Sequence, residues 1–187
     1  IRDNARTLAG LLGRTELWAV VKADGYGHGA ADAARAALEG GATTLCVASV
    51  GEALLLRAAL PDVRLLVLGP TLPEEVAQAR EARLELTVPD ERLPEGIPLH
   101  LKLDTGMGRW GSSEVHSVSG VVGLMTHFAT ADDDPGFARE QLQRFLEATD
   151  GYAGRFTRHA ANSAAALTLP ESRLDAARCG IALYGID

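Results

Sequence analysis

The 187-residue chain is short of several things, and each shortage narrows what it can be. It has two cysteines, Cys46 and Cys179, 133 positions apart, which fit neither a zinc pattern nor a disulfide framework. No apolar run approaches the ~18 residues of a membrane span, and the sequence reads as having no signal peptide. A cytoplasmic protein is the expectation. Basic surplus is lacking too: the formal net charge is −7, which leaves no electrostatic footprint for nucleic acid. Lysine is scarcest of all. Of 18 basic residues only Lys22 and Lys102 are lysines. Arginine therefore supplies charge wherever charge alone is wanted. A lysine kept against that bias suits work that a guanidinium cannot do, such as forming an imine or carrying a carbamate.

What is present is apolar content, 47%, enough for a substantial core. Strand-like segments are read at 17–21, 43–49, 64–69, 84–88, 98–104, 121–127, 156–161 and 177–184. Helices are read at 4–12, 30–39, 51–59, 73–82 and 135–149, with a short turn after Asn162. Pro73 followed by two glutamates suits a helix start. This alternation predicts an α/β fold with a parallel sheet, and eight strands predict a (β/α)₈ TIM-like barrel in one domain over residues 1–187. The barrel is compacted. Residues 89–97, with two prolines, are too few for a crossover helix between strands four and five. Residues 110–120 are too rich in Gly and Ser for one between strands five and six.

Lys22 ends the apolar run Leu17–Val21 and precedes Ala-Asp-Gly-Tyr-Gly-His-Gly, whose glycines permit a sharp turn. A lysine buried there tends to lose its proton and becomes a nucleophile; one lying across the strand end keeps its head in solvent. Taken singly, His127 and His159 suit partly buried structural residues. His28, His100 and His116 match nothing functional. Asp132-Asp133-Asp134 before Pro135 reads as a helix N-terminus rather than a metal cluster, so no metal site is expected.

Five stretches, in order, resemble the alanine racemases: Val21-Lys22-Ala-Asp-Gly-Tyr26-Gly-His-Gly29, Leu101-Lys102-Leu-Asp-Thr-Gly-Met-Gly-Arg109, Gly123-Leu-Met-Thr-His127-Phe-Ala129, His159-Ala-Ala-Asn162-Ser163 and Arg178-Cys-Gly180-Ile181-Ala-Leu-Tyr184-Gly185. The resemblance implies a pyridoxal 5'-phosphate enzyme interconverting L- and D-alanine for peptidoglycan, a homodimer in the full-length parent. It implies that Lys22 holds the cofactor and moves a proton, and that Tyr26, Asn162, Ser163, Gly180 and Ile181 serve the phosphate. Arg178 would face the pyridine nitrogen, oriented by His159, with His127 in the same network. Arg109 would bind the substrate carboxylate and the cofactor's phenolic oxygen, and Lys102 matches a lysine that is carbamylated in some members. The family also has a C-terminal β domain, which supplies a second acid/base tyrosine to the partner subunit. None of Tyr26, Tyr152 and Tyr184 matches it, so this chain is expected to be the cofactor-binding barrel, poorly active alone. Two alternatives stay open: a non-catalytic pyridoxal-phosphate carrier on the same barrel, and a barrel decarboxylase, where an acidic group would be expected at the ring nitrogen.

Overall fold

Successive strand residues divide between two apolar layers, and that division curls the sheet. Leu17 and Ala19, Leu45 and Val47, and Leu65 and Val67 pack outward under the helices. Their neighbours Trp18, Val20, Cys46 and Leu66 form a second, inner cluster. The computed structural model describes residues 1–89 and 94–186. In chain order these give α1 (Arg2–Leu12), β1 (Glu16–Val20), α2 (Lys22–Tyr26), α3 (Ala30–Glu39), β2 (Thr44–Val47), α4 (Val50–Ala59), β3 (Leu65–Val67), α5 (Val76–Glu81), β4 (Glu85–Val88), β5 (Leu99–Lys102), β6 (Val121–Met125), α6 (Pro135–Thr149), β7 (Thr157–His159), α7 (Ser163–Thr168) and β8 (Ala176–Cys179). All eight strands pair in parallel, in the order β7-β6-β5-β4-β3-β2-β1-β8. This is the expected TIM-like α/β barrel, nearly closed.

The seam lies between β7 and β8, which share no ladder. Two backbone bonds span it, Asp175 N to Arg158 O (3.0 Å) and Arg178 N to Ala161 O (2.9 Å). Between them the Arg178 guanidinium donates to the carbonyls of His159 (2.8 Å) and Ala160 (3.2 Å). A side chain thus closes the middle of the barrel.

Two elements differ from expectation. The strand predicted to reach residue 184 stops at Cys179, because the chain turns at Gly180 into a 3₁₀ segment, Ile181–Tyr184. The helix predicted over 73–82 opens as a 3₁₀ turn, Pro73–Glu75, with Pro73 at its first position, and α5 is short. No helix forms in residues 103–120, as expected. Of the other crossover, residues 90–93 lie outside the described residues; 94–98 form a turn and no helix. β6 carries a bulge: Leu99 faces Val121 and His100 faces Gly123, with Val122 the extra residue.

Candidate active site

Most of the predicted residues reach one cavity of about 420 Å³ at the C-terminal ends of the strands. Lys22, Tyr26, Lys102, Arg109 and His127 line it, and so do Asn162, Ser163, Arg178, Gly180 and Ile181. His159 does not. It is fully buried beneath the cavity, against Arg178.

Lys22 follows β1 and opens a turn of opposite hand to an ordinary helix. Ala23, Asp24 and Gly25 have φ of 52°, 51° and 61°, and Tyr26 has φ 53°. Glycine alone does not account for this, since three non-glycine residues sit in the left-handed region, at about 1 kcal/mol or more each. Two carboxylates hold the turn. Glu52 accepts from Ala23 N (2.9 Å) and Ala48 N (2.8 Å), and Asp24 accepts from Ala30 N (2.8 Å) at the start of α3. Lys22 is half-buried, between the two readings its sequence position allows. No acceptor is bonded to its amine among the described residues.

Lys102 is 2% exposed. Its Nζ donates to the carbonyls of Arg109, at 3.1 Å, and Trp110. Burial, with Arg109 close by, lowers it to about 8. The loop between is wound on Asp104, whose Oδ1 accepts from the amides of Gly106, Met107 and Gly108. Arg109 is exposed at the cavity mouth.

Arg178 is buried, and that burial lowers it to about 10, so it keeps its charge at neutral pH. Nη1 donates to His159 Nδ1 (2.7 Å) and His159 O; Nη2 donates to Thr126 O (2.7 Å) and Ala160 O, with His127 Nδ1 at 3.5 Å. Among the described residues none accepts from Nε–H, which leaves that donor for a ligand. Burial first, then the cations Arg178, Arg109, Lys102 and Lys22, push His127 down to about 3. His127 is therefore neutral.

Opposite, Ser163 Oγ accepts from Gly180 N (3.0 Å) and Ala182 N (3.3 Å), so its own proton can be given to a third group. A Cβ on Gly180 would lie 2.7 Å from Tyr26 Oη. A side chain there would push the Tyr26 hydroxyl aside. Burial raises the Tyr26 hydroxyl pKa, so it remains a donor. The Asn162 side chain caps α7 through Ala165 N (3.0 Å).

Sequence reasoning missed Glu52, Asp24, Asp104, Glu85 and His100. For His100 a signal existed: it stands two residues before Lys102, hence on the same, inward face of β5. No cluster of three or more metal-ligating side chains occurs among the described residues, the Asp132–Asp134 run included. Asp134 instead caps α6, accepting from Phe137 N. No described helix is long and apolar enough to cross a membrane.

The family model for the alanine racemase N-terminal domain matches residues 1–187. The chain belongs to that family. It is 41% identical to the alanine racemase of Desulforamulus reducens over 215 residues, covering all of this chain and 58% of the relative, and 40% identical to that of Geobacillus stearothermophilus, covering 54%. Among solved structures, alanine racemase from Bacillus anthracis with bound L-Ala-P superposes with a TM-score of 0.91 at 34% identity, and that of Streptomyces coelicolor with 0.89 at 38%. Each comparison covers all of this chain and 55% and 58% of the solved one. The chain thus spans about half the length of the racemases it matches.

Proposed function

We propose that this chain is the pyridoxal-phosphate barrel of an alanine racemase, a cytoplasmic enzyme that works as a homodimer and supplies D-alanine for peptidoglycan. The observation that carries the reading is the convergence of Lys22, Arg109 and Arg178 with the Ser163–Gly180 cradle on one cavity. Its volume lies within the ~300–1,000 Å³ common for small-ligand sites. The donor set fits the cofactor: a free hydroxyl proton on Ser163, a cleft at Gly180 that a side chain would fill, and the Tyr26 hydroxyl suit a phosphate. Bound there, pyridoxal phosphate would supply the electron sink that acidifies an amino acid's Cα proton.

The chain's own residues do the rest. The Lys22 amine would hold the cofactor and, as a free amine, would take or return the Cα proton on one face. Arg178 would offer Nε–H, the donor left without a partner among the described residues, to the ring nitrogen, and a guanidinium near 10 does not hand over that proton at neutral pH. Arg178 would thus leave that nitrogen uncharged, which favours returning the proton to the substrate over elimination or decarboxylation. Arg109 offers a forked donor to the substrate carboxylate. Neutral His127 steadies Arg178 by accepting at Nδ1. Lys102 near 8 keeps a fraction of neutral amine, the form carbamylation needs.

The test is to load the purified 187-residue chain with pyridoxal phosphate and reduce it with borohydride. The pyridoxyl mass should appear on the peptide containing Lys22. In a separate, unreduced portion of the loaded chain, alanine in deuterated water should exchange its Cα proton on the face Lys22 serves, with full interconversion slow for the isolated chain. Capture without any exchange would favour a cofactor carrier, and no capture at Lys22 would overturn both.

A further inference from the structure

Under the cavity runs a line of hydrogen bonds that the reaction itself does not call for. Glu85 Oε2 stands 2.7 Å from His100 Nε2, His100 Nδ1 stands 2.8 Å from His159 Nε2, and His159 Nδ1 stands 2.7 Å from Arg178 Nη1. Both histidines are fully buried, and the Glu85 side chain is 14% exposed. At the far end Arg64 forks both Glu85 oxygens, at 2.6 and 2.9 Å. Trp18 packs on both imidazoles, its ring 4.5 Å from His159 and 5.6 Å from His100. The barrel is shaped around the line as well. A Cβ on Gly123 would lie 2.2 Å from His100 Nδ1, and the β6 bulge is what brings Gly123 opposite His100.

The direction of every bond follows from the ends. Arg178 can only donate, so His159 Nδ1 must accept and Nε2 must carry the proton. His100 Nδ1 then accepts, and its Nε2–H points at Glu85. A carboxylate can only accept, so this end demands the same answer. An added proton on either ring would set donor against donor, and burial independently lowers both histidines. The carboxylate is held low, to about 2, by His100 and Arg64 against the cost of its burial.

We propose that Glu85 and His100 are positioning residues for Arg178: the buried carboxylate fixes the tautomers of His100 and His159 and so aims a lone pair at the guanidinium. The consequence for chemistry rests on the proposed cofactor site, because the guanidinium so held lines the cavity, with no acceptor at Nε–H among the described residues. The line itself is a property of the bare chain. Its test therefore uses no cofactor, and its failure is distinguishable from failure of capture at Lys22.

The measurement is long-range ¹H–¹⁵N spectroscopy of the histidine side chains in the cofactor-free 187-residue chain at pH 7. His100 and His159 should both appear as neutral Nε2–H tautomers. Either one as the Nδ1–H tautomer or as imidazolium overturns the proposal. In Glu85→Gln, Arg64 claims the amide oxygen and the NH₂ faces His100, which can switch tautomer where Arg64 cannot. His100 should move at least partly to Nδ1–H, and wherever His159 follows it gives up its bond from Arg178 Nη1. A folded Glu85→Gln chain with unchanged tautomers would show that the carboxylate does not set them. Were that variant not to fold, the wild-type spectrum could still overturn the proposal, because an Nδ1–H or imidazolium form at either ring is incompatible with it.

Discussion

Lys22 and Lys102 stand at the ends of strands four apart in the sheet, β1 and β5, and sequence alone makes them look equivalent. They are not. Lys22 lies past the end of its strand, half-buried, on a turn of reversed hand fastened from outside by Glu52. Lys102 is the last residue of its strand, buried, with its ammonium already satisfied by two carbonyls of its own loop. One amine faces the cavity with its hydrogen-bonding capacity intact; the other organises the loop that carries Arg109. The difference teaches that strand-end placement offers a site, whereas the turn that follows decides the task. The Lys22 amine has no acceptor among the described residues, and the turn after it is held by Glu52 rather than by the amine.

The comparison breaks most sharply under exchange of the two lysines. Lys22→Arg should abolish borohydride capture of pyridoxal phosphate and cut alanine Cα exchange by ~10²–10⁴-fold, the usual cost of losing a positioned acid/base. Lys102→Met should keep the capture, read by mass spectrometry of the same peptide. A pyridoxyl group on Lys102 in the unaltered chain would invert the assignment.

A smaller effect separates them by pH. The folded chain holds Lys102 near 8, against an ordinary 10.5, so between those values the unfolded chain binds the proton that the folded one has released. Stability should therefore rise as pH goes from 8 to 10.5, by up to about 3 kcal/mol. Urea unfolding at pH 8 and 10 should show the rise in the wild type and lose it in Lys102→Met. An equal rise in both would assign it elsewhere.

The smallest effects distinguish the two fastenings. Glu52→Gln weakens charge-assisted bonds that span two strand ends, and should cost about 1.5–3 kcal/mol with slower capture at Lys22. Asp104→Asn loosens bonds within a single loop, and should cost about 0.5–1.5 kcal/mol with capture unchanged. Denaturant midpoints and capture rates for the two variants check the order. If Asp104→Asn slowed capture as much as Glu52→Gln, the two loops would be coupled rather than separate.

The outer layer of the barrel was plain in the sequence because helix-facing strand residues such as Leu45, Val47, Leu65 and Val67 recur at a period of two among short connections. The helix over 30–39 was readable for a similar reason: it opens at Gly29, closes at Gly40 and buries one alanine face. The cavity residues came from their motifs, and the fold does bring them together. The inner layer was another matter. Glu85 and His100 alternate with aliphatic residues, the pattern of a strand with a wet face, so nothing local separates a polar residue pointing into a barrel from one pointing at water. Only long-range pairing tells them apart, His100 against His159 across 59 positions. The end of β8 was lost for a different reason. Residues 181–184 are as apolar as a strand, and the reason to turn is contact with Tyr26, far off in sequence.

The Arg178 guanidinium that closes the middle of the β7–β8 seam ties the molecule's shape to its reactivity. On a given fold, new chemistries commonly arise by changing the few residues that meet the reacting atoms. Here the residue proposed to face a ring nitrogen is also the bolt of the barrel. Substituting a carboxylate at 178 would redirect the chemistry in principle, but it would also leave the carbonyls of Thr126, His159 and Ala160 without donors at the weakest join in the wall. A change of reaction at position 178 therefore has to come with a rebuilt seam, because on this barrel wall and site share one side chain.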